Sequence, residues 1–270
     1  MLAAMAHYAS VLITGASSGL GAALAHELAA PGVTLHLSGR DAGRLATIAA
    51  ACRARGAIAQ DAVLDVTDAA AMATWIAGCG RLDLVVANAG ISAGAGEKAP
   101  ESPAQTRAIF ATNLDGVLNT VLPALDVMRG QPAGADAVRG RIAVIASIAA
   151  FVAGAAAPAY CASKAAVDTW TVATALGLRR EGITLTSVCP GYIRTAMTAR
   201  NRFPMPGLMD ADRAARIILR GVAAGRIRVV FPWYMGLAAR IGGLVPPRLV
   251  GAVMARLPAK EPMGQYHSSQ

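Results

Sequence analysis

Tyr160 and Lys164 stand four residues apart in the stretch YCASK, inside an alanine-rich, apolar segment. On a helix that spacing puts an ammonium one turn from a phenol. A cation at that distance favours the phenolate, so the phenol becomes a proton donor and acceptor instead of a spectator. The plain alternative is a pair of amphipathic side chains at a helix start. The rest of the chain decides between the two.

A second chemical pattern opens the chain. A short apolar run leads into TGASSGLG, Thr14 to Gly21. Gly15 permits a sharp strand-to-helix turn, and Gly19 and Gly21 let backbone amides approach a pyrophosphate at a helix N-terminus. Ser17, Ser18 and Leu20 complete that loop. The next strand ends LSGR, with no carboxylate before Asp41, where a site reading a ribose 2′-hydroxyl would place one. Arg40 in that position suits a 2′-phosphate, so NADP is the expected cofactor, with NAD possible. Ser17 and Ser38 are candidate hydroxyl donors. Asp65 and Val66, after the third strand, are expected at the adenine; Asn88, Ala89 and Gly90 follow the fourth strand at its carboxyl end.

These groups need a frame. Strand-like runs at 10–14, 33–38, 58–64, 82–87, 141–147, 184–189 and 227–231 alternate with helical stretches at 20–30, 43–54, 69–78, 102–128, 159–179 and 211–223. Short, near-continuous apolar strands between helices predict an α/β fold: a doubly wound, Rossmann-type parallel sheet of about seven strands with helices on both faces. Residues 1–231 are expected to form one catalytic domain with an integral substrate loop at about 196–223, and 232–270 an amphipathic extension.

Taken together, TGASSGLG, ANAG and YCASK resemble the short-chain dehydrogenase/reductase family, in its single-domain branch. The resemblance runs from Ser10 to about Phe231. It implies a proton-transfer tetrad of Asn113, Ser147, Tyr160 and Lys164, with Ser147 placed 13 residues before Tyr160. It also implies that Pro190, Gly191, Ile193 and Thr195 hold the nicotinamide end of the cofactor. The implied activity is hydride transfer between nicotinamide and the carbonyl or hydroxyl carbon of an apolar ketone or alcohol. In that scheme Tyr160 is the acid/base, Ser147 polarises the carbonyl, Lys164 lowers the phenol's pKa and binds the ribose, and Asn113 holds a relay water. A homodimer or homotetramer through the long helices is implied as well. Ala87 is a mild departure, since many members carry a second asparagine there.

Composition sets limits. With 55% hydrophobic and 15% charged residues, the 270-residue chain is a folded domain, not a disordered one. Cys52, Cys79, Cys161 and Cys189 and the four histidines show no ligand spacing, so no metal is expected. The N-terminus lacks a basic leader region, and a cytoplasmic location is expected. The charge is lopsided: net −1 through Leu178 and net +10 from Arg179 onward. That asymmetry suits a cofactor phosphate, an acidic substrate or a membrane surface, or simply solvated arginine-rich helices. No nucleic-acid partner is expected.

An apolar substrate wall is expected from Phe151, Val152, Phe203 and Met205, with Leu208 and Met209 beside them and Arg200 and Arg202 facing either an acidic group or solvent. In the extension, Leu237, Ile241, Leu244 and Val245 precede Pro246 and Pro247, and Leu249, Val250, Val253, Met254 and Leu257 share a later face. Gly236, Gly242 and Gly243 argue against one long helix. The segment fits packing over the pocket, a partner subunit or a membrane interface. A catalytically silent NADP-binding or scaffold protein and a membrane-surface lipid reductase are the competing readings.

Overall fold

Seven strands form one parallel sheet, the inner ones apolar on both faces and the edge strand at Ile58–Val63 largely exposed. The computed structural model describes residues 8–94, 100–134, 136–199, 201 and 203–246. Its strands are β1 (Ser10–Thr14), β2 (Thr34–Gly39), β3 (Ile58–Val63), β4 (Leu84–Ala87), β5 (Gly140–Ile145), β6 (Ile183–Pro190) and, after a two-residue pair β7 (Ile193–Arg194) and β8 (Met209–Asp210), β9 (Arg228–Phe231). They lie in the order β3-β2-β1-β4-β5-β6-β9, all parallel. Successive side chains point to opposite sides. Val11 and Ile13 of β1 join one core with Leu24, Leu45 and Ile218, while Leu12 joins the other with Met72, Val121 and Val167.

The helices that cover these faces are α1 (Gly19–Leu28), α2 (Ala42–Ala54), α3 (Ala69–Ala77), α4 (Pro103–Phe110), α5 (Gly116–Gly130), α6 (Pro158–Leu178), a single turn α7 (Ala196–Ala199), α8 (Ala211–Ala223) and α9 (Trp233–Leu244). Their starts are chemically marked. Asp41, Asp68 and Ser102 each accept a backbone N–H from three residues on, at 2.9, 3.0 and 3.1 Å. Pro103 and Pro158 sit in first turns, where a missing N–H costs nothing.

Two elements add detail to the expectation. The helical stretch expected at 102–128 contains a π-helical segment, Ala111–Asp115, between α4 and α5. And α9 runs straight through Gly236, Gly242 and Gly243. Two of these glycines are there for close approach: a Cβ on Gly236 would lie 2.2 Å from Val230 Cγ1, and one on Gly243 would lie 2.3 Å from the Phe151 carbonyl. Propensity argued against the helix, and packing outweighs it. The face expected over Leu249, Val250, Val253, Met254 and Leu257 lies outside the described residues, as do Pro247, Arg200 and Arg202.

Strand order reverses between β1 and β4, and the cleft opens at their carboxyl ends. There the two strands are tied together. The Asn88 N–H donates to Thr14 Oγ1 at 3.1 Å, and Asn88 Nδ2 donates to the carbonyls of Thr14 and Gly15 at 3.0 and 3.1 Å.

Candidate active site

The cleft at the switch point encloses about 510 Å³. At one end lie the glycine loop and Arg40, at the other Ser147, Tyr160 and Lys164, with Pro190, Gly191, Ile193 and Thr195 along the far wall. Ser17, Ser18, Leu20, Asp65, Val66, Ala89 and Gly90 line it as well. Residues drawn from seven separate segments of sequence therefore converge on one space.

The glycine loop is built to keep that space open. Gly15 has φ +66° and Gly19 φ +56°, where a side chain is strained. A Cβ on Gly15 would lie 2.8 Å from Ala89 Cα, and one on Gly19 would lie 3.0 Å from Thr195 Cγ2. Gly21 is not on the cleft wall; a Cβ there would lie 2.3 Å from the Gly15 carbonyl oxygen, so only glycine lets α1 pack this closely under the loop. A helix N-terminus facing a glycine cradle of this size fits a dinucleotide pyrophosphate.

Arg40 is exposed, its Nη1 3.7 Å from Asp65 Oδ2. Asp65 Oδ1 accepts the Thr67 N–H and hydroxyl, both at 2.9 Å. Burial pushes the Asp65 carboxyl up, but the Thr67 bonds and Arg40 outweigh it and hold it below the usual range. Asp41 is spent on capping α2 and on Arg44, 2.8 Å away. Arg44 lines the cleft beside Arg40, a residue not singled out from sequence; its place one helical turn beyond Arg40 was the available signal. Ser38 is fully buried and off the cleft, because β2 is covered on both faces.

At the other end, Ser147 follows β5 and caps a 3₁₀ turn, Ile148–Phe151, accepting the Ala149 N–H at 3.1 Å. Its side chain also hydrogen-bonds the Tyr160 phenol. Lys164 is buried, and its Nζ donates to the Ile145 carbonyl at 2.6 Å. Burial lowers the Lys164 ammonium to about 8. The Tyr160 phenol is pushed above its ordinary value by burial, and the Ser147 hydrogen bond is what opposes this. The Lys164 ammonium sits 6.0 Å from the Tyr160 ring centre while it donates to the strand carbonyl.

Asn113 is fully buried in the π segment. Its Oδ1 accepts the Ile91 N–H at 2.8 Å, while Nδ2 donates to the Ile91 carbonyl at 2.9 Å and to Ser163 Oγ at 3.2 Å. Both amide hydrogens are used, so this side chain clamps the loop after β4 onto α6. The clamp works because the π segment turns Asn113 toward Gly90, whose missing Cβ would meet Asn113 Oδ1 at 3.2 Å and Lys164 Nζ at 3.5 Å.

The four expected substrate residues do not line this cleft. Phe151 lies between two guanidinium groups, Arg228 at 5.7 Å and Arg240 at 4.7 Å from its ring centre, under α9. Val152 faces α9 near Gly242. Phe203 tilts against Tyr192 at 6.0 Å, and Met205 Sδ accepts Asn201 Nδ2 at 3.4 Å. Met197 and Thr198 of α7 stand on the wall instead. Among the described residues no cluster of side chains has the makings of a metal site.

The family model for short chain dehydrogenase matches residues 9–204. This chain belongs to that family. It is 36% identical over 255 residues to an uncharacterized oxidoreductase of Myxococcus xanthus, covering 93% of this chain and 98% of that one. It is 37% identical over 205 residues to a putative ketoacyl reductase of the granaticin polyketide synthase of Streptomyces violaceoruber, covering 74% of each. Among solved structures, an actinorhodin polyketide ketoreductase variant with NADPH superposes with a TM-score of 0.72 at 26% identity, over 84% of this short-chain dehydrogenase and 97% of that chain.

Proposed function

We propose that this short-chain dehydrogenase reduces the carbonyl of a largely apolar ketone, including one carried on an acyl chain, with NADPH. The observation that carries this is the Ser147–Tyr160 hydrogen bond on the wall of the dinucleotide-sized cleft, with Lys164 behind it. The likeness to a named ketoacyl reductase supports the acyl carbonyl.

Bound reduced nicotinamide supplies the hydride. The pyrophosphate falls to the Gly15–Gly21 loop and the N-terminus of α1, and the 2′-phosphate to Arg40 with Arg44 beside it. Asp65 and Val66 face the adenine, while Lys164 binds the ribose hydroxyls. Ser147 donates a hydrogen bond to the substrate oxygen and stabilises the negative charge that develops there. Tyr160, protonated at neutral pH, delivers a proton to the same oxygen.

The test is oxidation of NADPH and of NADH by the purified protein across a panel of apolar ketones and 3-ketoacyl thioesters. Ketone-dependent oxidation of NADPH in preference to NADH is expected. Tight NADPH binding with no turnover of any carbonyl would support a silent cofactor-binding protein instead.

A second reading, association with an anionic membrane surface, is favoured by α9. Its Trp233, Leu237, Ile241 and Leu244 are 74%, 52%, 56% and 85% exposed. No acidic residue occurs between Asp212 and Glu261. The helix begins beside the cleft: Pro232 and Met235 pack on Gly191. Flotation of the full chain with phosphatidylglycerol vesicles, lost on Leu237→Glu with Ile241→Glu, is the expected result. Vesicle binding that ignores the two substitutions would contradict it, as would their converting a dimer to a monomer with no vesicle binding by either protein.

A further inference from the structure

Helix α6 carries Tyr160, Lys164 and Asp168 at four-residue steps, and the last of these has no part in the chemistry above. Asp168 is 4% exposed, and a buried carboxylate persists only if it is paired. Its partner comes from the far edge of the sheet. Arg228 of β9 donates Nε to Oδ1 at 2.9 Å and Nη2 to Oδ2 at 2.7 Å. Ser187 Oγ of β6 adds a bond to Oδ1 at 2.6 Å, and Cys189 Sγ another at 3.4 Å.

The same guanidinium lies 5.7 Å from the Phe151 ring centre. Phe151 closes the 3₁₀ turn that Ser147 caps. One side chain thus touches both the helix that bears Tyr160 and Lys164 and the turn that bears Ser147. Neither Arg228 nor Asp168 reaches the cleft.

We infer that Arg228 and Asp168 are positioning residues: as one bidentate pair they fix α6 against the Ser147 turn and set the electrostatic field at Lys164. The inference rests on the proposed role of Ser147, Tyr160 and Lys164. The groups that face Lys164 are Tyr160, whose ring centre lies 6.0 Å from Nζ, the Cys189 thiol from β6 and the neutral carbonyl of Ile145 from β5; Asp168 stands one turn further along α6, with Arg228 of β9 behind it. Burial first, and Asp168 with it, pushes the Cys189 thiol up to about 12, so it stays neutral in the working range. What remains is the Asp168–Arg228 pair, a carboxylate and a guanidinium one turn along α6 from the ammonium.

Breaking the pair from its two ends must act on Lys164 with opposite signs. Arg228→Met leaves a carboxylate one turn from the ammonium and favours the charged form. Asp168→Asn leaves an unbalanced guanidinium and disfavours it. A residue that only held the fold together would produce no such sign reversal.

The chain has three lysines, Lys98, Lys164 and Lys260. Carbon-13 lysine labelling then gives three side-chain signals, and Lys164 can be titrated by NMR in the ligand-free protein whether or not any substrate is known. The expected result is a Lys164 midpoint that rises in Arg228→Met and falls in Asp168→Asn, each by roughly half a pH unit or more. Arg228→Lys keeps the charge but loses the fork, so its midpoint should stay near the wild-type value while ketone-reduction kcat falls about tenfold, with NADPH Kd within about twofold. Coincident midpoints, or shifts of the same sign, would overturn the electrostatic role. A wild-type kcat in Arg228→Lys would overturn the positioning role. Absence of carbonyl reduction by the wild-type protein would instead count against the proposed function, leaving the NMR result to stand on its own.

Discussion

Lys164 Nζ donates to the carbonyl of Ile145 at 2.6 Å, and Ile145 is the last residue of the strand that delivers Ser147 two positions later. One hydrogen bond therefore ties the helix carrying Tyr160 to the strand that leads to Ser147. It also keeps a cation in an apolar setting, and that has consequences for pH.

Reductive activity should fall as pH rises through about 8, the value to which burial lowers the Lys164 ammonium. The sign follows from the shift: the charged form exists below that pH and is lost above it, with Lys164 losing its charge well before an exposed lysine would. A kcat/KM profile for ketone reduction with NADPH checks this. A flat profile from pH 7 to about 10 would remove Lys164 from the account.

Ser147→Ala removes the hydroxyl that bonds Tyr160 and, in the proposed reaction, the substrate oxygen. Ketone reduction should drop about 100-fold in kcat, the scale on which a single donor to a developing oxyanion acts. NADPH affinity should hardly change. Stopped-flow hydride transfer alongside a cofactor titration separates the two quantities.

Arg40→Ala should weaken NADPH binding about tenfold, in keeping with a lost charge-assisted bond, while NADH binding stays within about twofold. The exposed contact with Asp65 at 3.7 Å contributes little to folding, so the melting temperature should not move. Fluorescence titrations with both cofactors and a thermal melt make the comparison. Equal weakening of both cofactors would take the 2′-phosphate away from Arg40.

Gly15→Ala places a side chain at φ +66° with its Cβ 2.8 Å from Ala89 Cα. A loss of about 1–3 kcal/mol in stability is expected from backbone strain at such a position. Urea denaturation of the ligand-free protein measures it, and a stability equal to wild type would show that the loop relaxes.

The frame of this site was legible because burial on both faces writes the inner strands as apolar runs. Leu84 to Ala87 and Ile142 to Ile145 carry no polar residue, and they pair in the sheet. The glycine turn was legible for a different reason: glycines between a strand and a helix are a local signal. What stayed hidden depends on contacts across the fold. No residue type marks a π segment, so the clamp that Asn113 makes on Ile91 had no signature in sequence. Phe151 reads as a pocket residue from its place after Ser147, yet Arg228 and Arg240 hold it under α9. Those arginines come from 77 and 89 positions further along the chain.

The central claim is that Tyr160 delivers the proton in a hydride transfer to a carbonyl. It is tested most directly by single-turnover oxidation of bound NADPH by an apolar ketone, comparing wild type with Tyr160→Phe. The account predicts that the variant binds NADPH as wild type does and transfers hydride at least about 100-fold more slowly. A Tyr160→Phe protein that transfers hydride at the wild-type rate would contradict it.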